Sequence, residues 1–166
     1  MRFLLIVGSL FAANLGFAQE KRIPKADAPS SIKQYILGNY SGFKKDKYYK
    51  EVEGNNTFIE CEFLYQGEEY SVKFMGDSLI EEEQSIEWEE MPSIAKVAIT
   101  QYFIDLYSDL GKFRILEIQK INPQSELKFE LTVKAKGGNE LEFVFDRNGK
   151  QLAKIPINNT PIPSNF

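Results

Sequence analysis

Leu127-Lys128-Phe129-Glu130-Leu131-Thr132-Val133-Lys134 alternates apolar and polar side chains without a break, and Leu141-Glu142-Phe143-Val144-Phe145 carries another apolar alternation. A period of two marks a β-strand with one buried face, because successive strand side chains point to opposite sides. Gly137-Gly138-Asn139 between the two runs suits a hairpin turn, since glycine tolerates positive φ. Asp146-Arg147-Asn148-Gly149 follows as a tight turn. Asp and Asn favour turns through bonds to their own backbone, so this stretch reads as a turn rather than a metal loop. A last strand is expected over 150–155. Upstream, 113–121 reads as a further strand, closed by Asn122-Pro123-Gln124-Ser125. The connections are too short for parallel crossovers, so the sheet is expected to be antiparallel.

Before these strands, Pro92-Ser93 opens a run with Ala95, Ile99, Tyr102, Phe103, Leu106 and Tyr107. Spacings of three and four place those side chains on one helical face, and Gly111 fits beyond the helix end. The same order occurs once earlier. Pro29-Ser30 opens a shorter run with Ile32, Tyr35, Ile36 and Tyr40, followed by strand patterns over 48–53, 57–65, 70–74 and 78–82. Gly67 stands 71 residues before Gly138, and Phe74 stands 71 before Phe145. The expected fold is α+β: two tandem helix-plus-four-strand units, 29–86 and 87–156, forming one antiparallel sheet with both helices on one face. Residues 19–28 are expected to be a loose lead-in and 157–166 an extended tail.

Residues 1–18 have the pattern of a secretory signal peptide. Arg2 gives the positive start, 3–11 the apolar stretch, and Gly16 and Ala18 the small residues before a cut between Ala18 and Gln19. The apolar stretch is too short to span a bilayer of about 30 Å, so an extracytoplasmic, periplasmic or secreted location is expected and no transmembrane span.

Composition narrows the chemistry. The 166 residues carry 20 basic and 24 acidic side chains, net −4, which argues against a nucleic-acid partner. There is no His and one Cys, so His-based triads, His metal sites and intramolecular disulfides are excluded. No cofactor or metal is expected, and no enzyme activity. Glu60 with Glu62, and Glu130 with Glu142, could suggest a carboxylate pair, but strand alternation alone produces such pairs. A Ser–Lys nucleophile pair stays formally open, and no spacing marks one. Cys61, in register with Ile59, Phe63 and Tyr65, is expected to be a buried free thiol. The stretch 77–90 has seven acids and no base and reads as a solvated linker, anchored to the core by Trp88. Lys44, Lys45, Lys47 and Lys50, beside Tyr48 and Tyr49, read as a solvated loop entering a strand.

The chain resembles the PepSY-like, or β-lactamase-inhibitor-protein-like (BLIP-like), secreted proteins over about 29–155. The resemblance rests on Pro92-Ser93 with its amphipathic helix, Glu117-Ile118-Gln119-Lys120, the strand of 127–133, and the Phe145-Asp146-Arg147-Asn148-Gly149 ending. Phe74-Met75-Gly76-Asp77-Ser78 departs from that ending. The resemblance implies an extracytoplasmic, non-enzymatic module that binds protein. If the apolar strand positions face the helices, the opposite face presents Glu60, Glu62, Lys73, Lys128, Glu130, Lys134 and Glu142 as surface residues for an unknown protein partner. The alternative is an envelope carrier with a small-ligand pocket between sheet and helices.

Overall fold

A computed structural model describes residues 21–107, 113–121, 126–135, 138 and 140–157. In chain order these form β1 (Lys21–Ile23), α1 (Ser30–Asn39), β2 (Lys44–Glu53), β3 (Asn56–Tyr65), β4 (Glu68–Met75), β5 (Ser78–Ser85), α2 (Ser93–Tyr107), β6 (Phe113–Ile121), β7 (Lys128–Ala135), β8 (Glu140–Asp146) and β9 (Gln151–Pro156). The strands build one sheet in chain order, β1 through β9, and every neighbouring pair is antiparallel. The chain is therefore α+β. The β3–β4 hairpin shows why short turns suffice. Gln66 and Gly67 both have positive φ (55° and 101°), the backbone twist that lets a two-residue turn join two strands.

The register decides the faces. Cys61 sits opposite Val72, and Leu131 opposite Phe143. Ile32 and Ile36 of α1 pack on Tyr48, Cys61, Phe63, Val72 and Phe74. Ala95, Ile99 and Phe103 of α2 pack on Ile118, Phe129, Leu131, Val133, Phe143 and Phe145. Both helices lie on the same side. Glu82, which accepts the Tyr35 hydroxyl of α1 at 2.5 Å, shares its side of β5 with Gln84. Gln84 pairs with Lys120, which shares its side of β6 with Ile118 beneath α2. Each buried Phe contributes on the order of 2–3 kcal/mol. The β5–β6 junction is short, spanning Glu83↔Ile121, Gln84↔Lys120 and Ser85↔Gln119. Leu106 departs from the expected helical face, being 40% exposed.

Several expectations need correction. Residues 21–23 are a strand on the sheet edge rather than part of a loose lead-in, with Arg22 opposite Tyr49. Three residues are too few to show a period, and the pairing is made by backbone. The second strand begins at Lys44 rather than Tyr48, and a register shift between Lys44 and Lys47 breaks the alternation there. The four lysines are exposed nonetheless. The acidic run is not one solvated linker: Glu81, Glu82 and Glu83 lie in β5, Glu83 is buried, and Asp77, Glu87, Glu89 and Glu90 remain exposed. Trp88 opens a 3-10 turn and packs half-buried against the α2 core, anchoring the segment as expected. Ile157 continues the last pairing, its N–H donating to the Glu140 carbonyl at 3.1 Å.

The 146–149 turn has the expected construction. Asp146 Oδ1 accepts the Asn148 and Lys150 N–H groups at 2.8 and 2.9 Å. Gly149, at φ 86°, lies directly beneath α2. A Cβ there would stand 2.7 Å from the Ala98 Cβ and 2.8 Å from the Ala95 carbonyl oxygen. The expectations for 1–18, Gly111, 122–125, Gly137 with Asn139, and 158–166 fall outside the described residues.

Candidate functional site

No described helix covers the second face of the sheet. Strand alternation and the observed register place all seven residues expected there on it: Glu60 and Glu62 from β3, Lys73 from β4, Lys128, Glu130 and Lys134 from β7, and Glu142 from β8. They divide into a rim and a centre. At the rim, Glu62 meets Lys47 Nζ and the Tyr49 hydroxyl, each at 3.3 Å, and Lys134 pairs with Glu140 at 3.0 Å. Lys128 is partly exposed.

At the centre the expectation of surface residues fails: Glu60, Lys73, Glu130 and Glu142 are all buried. Two physical features account for this. Register shifts in β2–β3, β4–β5, β6–β7 and β8–β9 bend and twist the strands. Long side chains from neighbouring strands also pack on one another. Lys73 Nζ lies 2.5 Å from Glu51 Oε2 and 5.0 Å above the Phe58 ring, and the Ser71 hydroxyl donates to Glu83 at 3.2 Å. Three apolar side chains on this face, Phe58, Ile121 and Val144, are buried with them.

The centre holds more acid than the sequence suggested. Glu51, Glu81 and Glu83 join Glu60, Glu130 and Glu142 on this face, and Glu117 lies beside it. Glu83 is 2% exposed, Glu130 3% and Glu142 2%, and one carboxylate oxygen of each has no hydrogen-bond partner: Glu83 Oε1, Glu130 Oε2 and Glu142 Oε1. Burial raises the Glu83 and Glu130 carboxyls well above their ordinary range, and neighbouring acids push the same way: Glu81 and Glu60 on Glu83, Glu142 and Glu83 on Glu130. Burial pushes Glu142 up to about 7 against a hydrogen bond from Glu130 that pulls it down. Burial likewise lifts Glu117 to about 7, opposed by the Ser85 hydroxyl at 3.3 Å. Glu130 and Glu142 act on each other in opposite directions, their mutual hydrogen bond raising Glu130 and lowering Glu142. The missed residues had no continuous signal: the register shift between Lys73 and Phe74 leaves Leu79 against the α1 core and puts Glu81 and Glu83 on the opposite face, so the period breaks within the run.

Among the described residues, no group of three or more Asp, Glu, Cys or His is arranged to hold a metal ion. An open depression, lined by Arg22, Ile23, Pro24, Lys25, Asp46, Lys47 and Tyr48, lies at the β1–β2 edge. It is not the pocket between sheet and helices that a carrier was expected to use. No described helix is long and apolar enough to cross a membrane.

No family model matches the chain, and no curated protein does. Solved structures do. A BLIP-like protein from Bacteroides fragilis superposes with a TM-score of 0.56 at 17% identity, covering 83% of this chain and 92% of that one. The chain has the BLIP-like fold. A DUF2874 family protein from Bacteroides ovatus shares it, with a TM-score of 0.57 at 9% identity over 82% of this chain and 93% of its own. So does a Bacteroides eggerthii protein suggested to be periplasmic, at 0.55 and 17% over 80% and 91%. The resemblance read from the sequence therefore holds for the BLIP-like fold. Identities this low carry no residue roles from one chain to another.

Proposed function

We propose that this chain is a non-enzymatic binding module of the cell envelope, and that it engages a protein partner through the helix-free face of its BLIP-like sheet. The observation that carries the reading is the composition of that face: charges of both signs at an accessible rim, around a centre of interlocked acids and apolar side chains. Mixed charges with a few apolar residues suit a specific, moderately polar interface. The pattern of 1–18 supports export with removal at Ala18–Gln19. The neighbour suggested to be periplasmic agrees with that location. Two tandem units, 29–86 and 87–156, remain our reading of the chain's organisation, with β1 now added ahead of the first. The two separate cores and the short β5–β6 junction support it.

The test uses the rim. Glu62→Lys together with Lys134→Glu disrupts two surface pairs, each worth about 0–1 kcal/mol, so folding is kept. Reversed charges at an interface repel the partner. A partner captured by the wild-type chain from the envelope fraction should be lost by the rim variant. Equal capture by both moves the binding site off this face. Reversing Lys73 or Glu130 is unsuitable as a binding test, because breaking buried charge contacts costs about 3–5 kcal/mol and would mix a loss of stability with a loss of binding.

A further inference from the structure

We propose that the centre of the helix-free face is a guanidinium-receiving site, in which Glu83, Glu130 and Glu142 take the side chain of an arginine presented by the partner. This rests on the protein-binding reading above and names the chemistry of the partner. Three buried carboxylate oxygens lack hydrogen-bond partners: Glu83 Oε1, Glu130 Oε2 and Glu142 Oε1. An unsatisfied buried acceptor is costly, and a group that donates to several at once relieves the most cost. The Lys73 ammonium, held on Glu51 at 2.5 Å, pulls Glu142 down through its charge, and Glu142 Oε1 still has no hydrogen-bond partner. The three acids act on one another: the charges of Glu142 and Glu83 both bear on Glu130, and that of Glu142 bears on Glu83.

The occupant follows from geometry and hydration. A bare divalent ion needs several carboxylates gathered at coordination distance, and the described acids do not make such a group. A guanidinium spans a wider set, with five N–H donors in a planar fork, and it is more weakly hydrated than an ammonium, which suits a buried site. Ile121 and Val144, buried on the same face, supply an apolar wall for the arginine stem. Lys128 and Glu81, on the same face, are partly exposed.

The experiment follows backbone amide signals of the full mature chain by NMR while N-acetyl-arginine amide is added. Saturable shifts at Glu83, Gln119, Glu130 and Glu142 are expected. N-acetyl-citrulline amide, of nearly the same shape and uncharged, should leave them unmoved. Glu83→Gln with Glu130→Gln keeps side-chain shape and should weaken the arginine probe by about tenfold or more. The exposed control, Glu89→Gln with Glu90→Gln, should bind it like wild type. Equal shifts with citrulline, or shifts that gather at 87–90, overturn the proposal, and the citrulline comparison needs no variant to fold. The two readings fail separately. A partner that is lost by the rim variant yet captured equally by Glu83→Gln/Glu130→Gln removes the arginine site and leaves the face in place. A partner retained by the rim variant removes the face.

Discussion

Replacing Glu117 with Gln should stabilise the protein at about pH 8 and change little at about pH 4. Glu117 is the simplest buried acid to test, because it stands apart from the Glu81–Glu83 and Glu130–Glu142 pairs. Burial is the main cause that lifts its carboxyl from 4.5 to about 7. The Ser85 hydrogen bond opposes this, and the charges of Glu69 and Glu62 add to it. A folded-state value above the unfolded one means that the folded chain holds the proton more tightly. The contribution to stability is then complete below the unfolded value of 4.5 and is lost as pH rises toward about 7. The interval is worth about 3 kcal/mol. Gln keeps the oxygen that accepts from Ser85 and removes the ionisation. Above pH 7 it should recover most of that loss, a rise in Tm of about 6–12 °C for a chain of this size. Thermal melts of wild type and variant from pH 4 to 8.5 provide the assay. The wild type should lose stability across that range and the variant should lose less, so the two curves separate with rising pH. A constant offset, or a variant less stable at pH 8, would refute burial as the cause.

Gly149→Ala should cost about 2–4 kcal/mol, since it meets both the left-handed backbone and the Ala95 carbonyl, and denaturant unfolding measures it. Cys61 should resist thiol reagents until the protein unfolds: burial is the main cause holding its thiol up to about 12, and a Tyr48 hydrogen bond only partly opposes it. Labelling at the rate of a free thiol in the native protein would contradict the packing. Exported protein should begin at Gln19 by mass spectrometry; an intact Met1 on a cytoplasmic chain would end the export reading.

What could be read from the sequence was whatever periodicity writes. The alternation of 127–134 put Phe129, Leu131 and Val133 beneath α2, and the spacing of Ala95, Ile99 and Phe103 gave the helix face that meets them. The turn at Asp146 was legible because its side chain works on the next few residues of the chain. β1 was not legible, because a three-residue edge strand is specified by the backbone of β2 and not by its own side chains. The burial of the candidate site was not legible either. Period fixes which side of a sheet a residue takes, but whether Glu130 on that side meets water depends on side chains brought from β5, β6 and β8 and on four register shifts that no local pattern announces. Charge misled most at Glu83, where an acid that looked like solvent continues the strand expected over 78–82 and is buried.

The two faces of the sheet therefore do opposite work. Under the helices, apolar burial stabilises the fold, and even the one thiol is kept inert. On the other face, Glu83, Glu130 and Glu142 raise the energy of the folded state when they are ionised: burial is the main cause at all three, neighbouring acids add to it at Glu83 and Glu130, and at Glu142 the Glu130 hydrogen bond opposes it. Apolar residues of similar volume at such positions are often neutral or stabilising. The acids thus do not explain the fold's stability, and their contribution has to be sought in what the face contacts. A cation entering from outside converts the same crowding of carboxylates from a cost into an attraction, and it does so only when the cation is delivered to the centre of the face. A partner with its charge at the wrong place on its surface would meet the rim pairs and leave the buried oxygens unserved. On this reasoning the buried centre discriminates among partners, while the rim sets how quickly they arrive.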